Sequence, residues 1–113
     1  MIDGTLSVLK SAAKERVQRF VLTSSANAAM SSRPNHPVFI TADTWNEEGV
    51  QLAFNLPQEL SEVERGLAVY GASKVKGEQA LWKWVEENQP RMVVNSGKFS
   101  SKVYRRLIIL IAK

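Results

Sequence analysis

Val-Gln-Arg-Phe-Val-Leu-Thr-Ser-Ser-Ala, residues 17–26, is the stretch that decides the fold. Phe20, Val21 and Leu22 form an unbroken apolar run instead of an alternating one. Strands covered on both faces read this way, and they belong to parallel sheets with helices on each side. Ser24, Ser25, Ala26 and Asn27 end the run with small or polar residues. A strand is therefore predicted over about residues 17–24, with its carboxyl end at the serines.

The flanking sequence fits that strand into an alternating pattern. Upstream, Ile2, Leu6, Leu9 and Ala13 recur at helical spacing and predict a helix over residues 1–15. Asp3 is its candidate N-cap, and Lys10 and Lys14 suit its carboxyl end. Downstream, residues 28–65 contain Pro34, Pro37 and Pro57 and little periodicity, so they read as a long loop. Short strand or helix pieces fit near residues 38–41 and 58–64. A helix is predicted over 69–88: Tyr70, Lys74, Gly77 and Leu81 share a face that Val85 continues, and Ala80, Trp82 and Trp84 widen the apolar stripe. Packing is the simplest reading of Trp45, Trp82 and Trp84, and it is the one expected for Trp82 and Trp84. Pro90 stops the helix, and Met92, Val93 and Val94 form a second buried-type strand. Helix, strand, loop, helix, strand implies an α/β fold in which the two strands lie parallel and the 69–88 helix packs across them.

Composition narrows the function classes. The chain has 113 residues, enough for one small domain, and 44% of them are hydrophobic, as in globular proteins. It has no cysteine, which excludes disulfides and thiolate zinc sites and suits a reducing compartment. Its one histidine, His36, cannot form a metal cluster. The net charge of +4 invites a nucleic-acid reading, but its distribution argues against one. Ten basic and eleven acidic residues precede Gly97, whereas Lys98, Lys102, Arg105, Arg106 and Lys113 follow it with no acid. The longest apolar run, residues 107–112, is six residues, and a membrane span needs about 20. The N-terminal Met-Ile-Asp-Gly lacks signal-peptide character. The expectation is a cytoplasmic protein with neither a nucleic-acid partner nor a membrane span.

Two features carry chemistry. Tyr70 and Lys74, four apart, share a helical face. A free tyrosine has a pKa of about 10, and a neighbouring ammonium favours its phenolate, so the pair makes a tunable acid–base at neutral pH. The spacing also arises by chance, as an amphipathic tyrosine beside a surface lysine. Ser24 and Ser25 stand at a strand's carboxyl end, where open α/β sheets bind ligands. A serine there also serves simply to cap a turn. The conjunction of both features is rarer than either.

Residues 17–26, with residues 69–78 (Val-Tyr-Gly-Ala-Ser-Lys-Val-Lys-Gly-Glu) and residues 3–13 (Gly-Thr-Leu, then Val-Leu and Ala-Ala), resemble the active-site strand, catalytic helix and preceding helix of extended short-chain dehydrogenases/reductases. The resemblance covers roughly residues 1–95. It implies a partial Rossmann-like three-layer fold with parallel strands, incomplete at both ends. Residues 1–96 then form a partial NAD(P)-binding segment, and residues 97–113 a basic-apolar tail of no assigned role. It further implies that Tyr70 exchanges the substrate proton, that Lys74 favours the Tyr70 phenolate and binds the nicotinamide ribose, and that Ser25, before Ser24, holds the carbonyl oxygen. The cofactor is NADP or NAD, and the partner is a small-molecule carbonyl substrate. Thr41 to Glu47 and the Leu81-Trp82-Lys83-Trp84 run are similar to dihydroflavonol-reductase-like and fungal aldehyde or carbonyl reductases. Sugar-nucleotide epimerases follow their serines with a Val-Tyr-Gly type of sequence, where this chain has Ala-Asn-Ala-Ala-Met.

The chain departs from the family in two places. Its six glycines include no Gly-x-x-Gly-x-x-Gly loop, and Ser96-Gly97-Lys98 replaces the family's Pro-containing segment. The expectation is a fragment of an NAD(P)H-dependent reductase of aldehydes or ketones, truncated or mis-assembled, that binds no NADPH saturably and is inactive alone. The alternatives are a non-catalytic α/β interaction module and a sugar-nucleotide epimerase/dehydratase relative.

Overall fold

The computed structural model describes residues 2–31, 37, 39–41, 43–99 and 109–112. Helix α1 spans Ile2–Lys14, strand β1 Arg19–Ser25, and a single 3-10 turn Ala26–Ala28. Helices α2 (Glu47–Phe54) and α3 (Glu62–Asn88) follow, then strands β2 (Val93–Phe99) and β3 (Ile109–Ala112). β1 and β2 are parallel, with Arg19 opposite Val93, Leu22 opposite Ser96 and Ser25 opposite Phe99. β3 adds to the other edge of β2 in the antiparallel sense. The fold class is α/β, with α3 connecting the parallel strands.

The pleat sorts the strand residues onto two faces. Phe20 and Leu22 of β1 and Val94 of β2 pack with Leu9 of α1 and Leu81 of α3, both fully buried. Leu6, Ala12 and Ala13 of α1 and Trp82, Trp84 and Val85 of α3 complete this core. The two tryptophans are thus packing residues, as the sequence suggests. Val21 and Val93, on the opposite face, are about half exposed (51% and 50%). The apolar run 20–22 had pointed to cover on both faces. Among the described residues only one face is covered, because α1 and α3 pack against the same side.

Helix α1 matches its predicted extent, with Asp3 inside the first turn instead of at the N-cap and Ile2 exposed. Two helical segments differ from expectation. α2 lies inside the stretch read as irregular; Asn46 caps it, Glu47 and Glu48 occupy its first turn, and Val50 is buried. Val50 joins Ala28, Ala72 and Val75 in a second core, with Trp45 and Ala53 against it. Helix α3 starts at Glu62, seven residues before the predicted start. Residues 39–41, where a short piece had been expected, form no helix or strand, and Val38 lies outside the described residues. So do His36, Lys102, Arg105, Arg106 and Lys113. β2 runs on past Val94 to Phe99.

The early start of α3 has a local cause. The Ser61 hydroxyl accepts the Glu64 N–H at 3.3 Å, and the Glu64 carboxylate accepts the Ser61 N–H and O–H, each at 2.8 Å. This reciprocal arrangement is a capping box. The backbone and hydroxyl bonds from Ser61 hold the Glu64 carboxyl below its usual range. A depressed folded-state pKa means the stabilisation is present above the ordinary carboxylate pKa and is lost as pH falls through the lowered value. Ser61→Ala is therefore expected to lower the urea midpoint at neutral pH. Its gap to wild type should shrink between about pH 5 and pH 3, near and below the ordinary glutamate pKa. A gap independent of pH would show that the Glu64 bonds contribute nothing.

Candidate active site at the carboxyl end of β1

The strand's pleat sends its two terminal serines to different tasks. Ser24 shares the helix-covered face with Leu22, and its hydroxyl donates to Glu78 Oε2 at 2.7 Å. Ser25 has extended backbone (φ −143°, ψ 153°) and caps the 3-10 turn, its Oγ accepting the Asn27 N–H at 3.2 Å. A hydroxyl that accepts one bond still has its hydrogen to give. Both serines are buried, at 4% and 8% exposure.

Helix α3 brings three side chains to this strand end on successive turns: Tyr70, Lys74 and Glu78. The Lys74 ammonium donates to the Thr23 carbonyl oxygen at 3.4 Å, two residues before Ser25. The same ammonium lies 5.6 Å from the centroid of the Tyr70 ring. The Tyr70 side chain is partly open to solvent, at 42% exposure. Helix and turn are in contact at Gly71: a β-carbon there would lie 3.5 Å from the Asn27 carbonyl oxygen and 3.6 Å from Asn27 Cβ, ordinary packing distances. The residue after Tyr70 therefore rests on the turn that Ser25 caps. Lys74 is thus held directly at the end of β1, Tyr70 through its contact with Lys74, and Ser25 through the turn against Gly71.

Asn46 was not anticipated from the sequence. It is buried (7% exposed), its amide donates to the Asn27 carbonyl oxygen at 2.9 Å, and its side-chain oxygen accepts the Gly49 N–H at 2.9 Å. It thereby ties the turn after Ser25 to α2. A β-carbon on Gly49 would collide with the Asn46 side chain, so the cap needs glycine at that position. Glu78 was quoted in the family-like block but given no role. It is 2% exposed, and its second oxygen accepts the Ser96 hydroxyl of β2 at 2.7 Å.

Two cavities flank the group. A small one of about 90 Å³ is lined by Thr5, Leu22, Thr23, Ser24, Lys74, Gly77 and Glu78. A larger one of about 710 Å³ lies between α2 and the start of α3, lined by residues including Asn27, Ser31, Leu52, Leu67 and Ala68. It holds none of Ser25, Tyr70 and Lys74, although Asn27 and Ala68 each stand two residues from one of them. Among the described residues no group of histidine, aspartate or glutamate is placed to hold a metal ion. No described helix is long and apolar enough to cross a membrane.

Comparison with known proteins gives a consistent set of relatives. No family model matches the chain. It is 40% identical over 97 residues to an aldehyde reductase 2 of Sporidiobolus salmonicolor. It is also 40% identical over 96 residues to an NAD-dependent epimerase/dehydratase of Aspergillus terreus. A ketoreductase of Penicillium roqueforti is 36% identical over 97 residues. Each of these alignments takes in 84% of this chain, which spans only 26–28% of the length of those relatives. Among solved structures, one named SsCR superposes with a TM-score of 0.59 at 26% identity. A reductase engineered to attenuate substrate inhibition in asymmetric catalysis superposes at 0.57 and 31% identity. Both superpositions cover 84% of this chain and 27% of the other.

Proposed function

We infer the function of a chain that, over its matched stretch, belongs with the reductases and NAD-dependent epimerase/dehydratases of the extended short-chain dehydrogenase/reductase family: it carries the proton-transfer groups of a carbonyl reductase. The observation that supports this most is the Lys74 ammonium, 3.4 Å from the Thr23 carbonyl oxygen and 5.6 Å from the Tyr70 ring centroid. It sits at the strand end where Ser25 keeps a hydroxyl proton. A substrate aldehyde or ketone there presents its oxygen to two donors.

The chemistry follows from the groups. The Ser25 hydroxyl donates to the carbonyl oxygen and orients it. When bound, a nicotinamide cofactor would supply a hydride, a hydrogen with the electron pair that forms the new C–H bond. As the C=O π electrons move onto oxygen, the Tyr70 O–H bond breaks and its proton goes to that oxygen, giving an alcohol. The Lys74 ammonium stabilises the negative charge left on the phenolate. Positioned proton transfer of this kind is worth about a hundred- to ten-thousand-fold in rate.

Residues present here fit one end of the cofactor. Lys74 is half-buried with its ammonium at the strand end, free to give further hydrogen bonds to ribose hydroxyls, since an ammonium has three donors. The 113 residues contain no Gly-x-x-Gly-x-x-Gly loop to receive the pyrophosphate. The cofactor is NADP or NAD, and the setting is the cytoplasm.

The test is a segment exchange. Residues 2–97 replace the matching stretch of a complete relative such as the Sporidiobolus aldehyde reductase, and NADPH oxidation is followed with aldehyde and ketone substrates. Turnover is the expected result. A folded exchange protein that binds NADPH and reduces no carbonyl compound would overturn the reading.

A further inference from the structure

We propose that Glu78 is the positioning residue of this site, tying α3 to the ends of both parallel strands and so setting where Lys74 and Tyr70 stand relative to Ser25. The inference rests on reading those three as the working groups. A carboxyl group that is 2% exposed is costly to bury unless its oxygens are hydrogen-bonded. Here each oxygen accepts a serine hydroxyl at 2.7 Å, Oε2 from Ser24 of β1 and Oε1 from Ser96 of β2. Those serines are 4% and 0% exposed and point from neighbouring strands into the same face of the sheet.

Apolar contact alone holds a helix loosely in rotation and translation, because the hydrophobic effect has no direction. Two short bonds to two different strands fix both. The point they fix is one helical turn from Lys74 and two from Tyr70. One residue of slip in a helix moves a side chain by about 1.5 Å along the axis and 100° around it, enough to take it out of the site. A misplacement of about 1 Å can cost a hundredfold in rate. Ser24 has a second consequence: its bond to Glu78 fixes the pleat at the strand end, so the next side chain, Ser25, takes the capping position.

The experiment uses the full 113-residue chain by NMR, with no substrate. The readouts are nuclear Overhauser contacts from the Lys74 ε-methylene to the Thr23 backbone and from Gly71 to the Asn27 side chain, together with the urea midpoint. In Glu78→Gln the contacts should persist, since an amide oxygen accepts one hydroxyl and its NH₂ donates to the other. In Glu78→Leu they should be lost while the chain still unfolds cooperatively. A merely structural carboxyl would let contacts and midpoint fall together. Should the leucine variant not fold, the Ser24→Ala, Ser96→Ala double variant replaces it, with loss of contacts expected again. Contacts retained in a folded Glu78→Leu or double-serine variant would overturn the proposal, and so would equal losses in Gln and Leu. Because the readout needs no catalysis, a failure here leaves the roles of Tyr70 and Lys74 to the exchange enzyme, where they are tested separately.

Discussion

Tyr70→Phe in the segment-exchanged reductase is expected to lower kcat by about a hundred- to ten-thousand-fold, the range for loss of a positioned general acid. KM for NADPH should change little. Phenylalanine keeps the ring that the Lys74 ammonium faces at 5.6 Å and removes only the O–H. The ring is 42% exposed, so no buried hydrogen-bond partner is stranded and stability should be unchanged. A loss confined to kcat is the signature of an interaction made in the transition state. A variant that keeps more than a tenth of the activity would assign the proton transfer elsewhere. A raised KM at constant kcat would reduce Tyr70 to a binding contact.

The second large effect is on stability. Leu81→Ala in the 113-residue chain is expected to cost about 2–5 kcal/mol, the range for emptying a fully buried leucine site. Leu81 is 0% exposed and meets Leu9 of α1, Val94 of β2 and Met92 in the principal core. That core joins both long helices to the strands, and no other described cluster does so. Marginal domains have only about 5–15 kcal/mol in hand, so the urea midpoint should fall sharply or the folded state be lost. A change below about 1 kcal/mol, small against the Leu→Ala range, would mean that α1 and α3 are not packed on the sheet as described.

How much of this was legible in the sequence depended on whether a residue's burial leaves a pattern. The unbroken Phe20-Val21-Leu22 run marked β1, and helical spacing marked α1 and the later part of α3. The first turns of α3 left no such mark, because their apolar residues Val63 and Leu67 are 72% and 56% exposed and face no core. A capping box starts that segment, and Ser61-x-x-Glu64 was the available signal. Helix α2 is eight residues long, too short for periodicity to stand out, and its cue was Asn46 followed by two acids. Val21 misled in the other direction: it extended an apolar run although its own face is half open.

The family-like blocks gave Ser25, Tyr70 and Lys74 as candidates but no physical reason to choose between the serines. The hydrogen bonds give a reason to propose Ser25: Ser24 donates to Glu78, while Ser25 caps the turn with its proton left to give. Glu78 itself was illegible. An acid in the middle of a helix normally reads as a solvated side chain, and the two facing serines, which the sequence does not bring near it, have a part in burying this one.

The central claim is that Ser25 and Tyr70 act on one substrate oxygen, with Lys74 behind the tyrosine. The most direct measurement is a double-mutant cycle on the rate of hydride transfer in the exchange enzyme, comparing Ser25→Ala, Tyr70→Phe and the pair. Residues that act as one unit are strongly non-additive. The expected result is that each single variant is slow and that the double variant is about as slow as Tyr70→Phe alone. Losses that multiply, or a Ser25→Ala enzyme as fast as the parent, would contradict it.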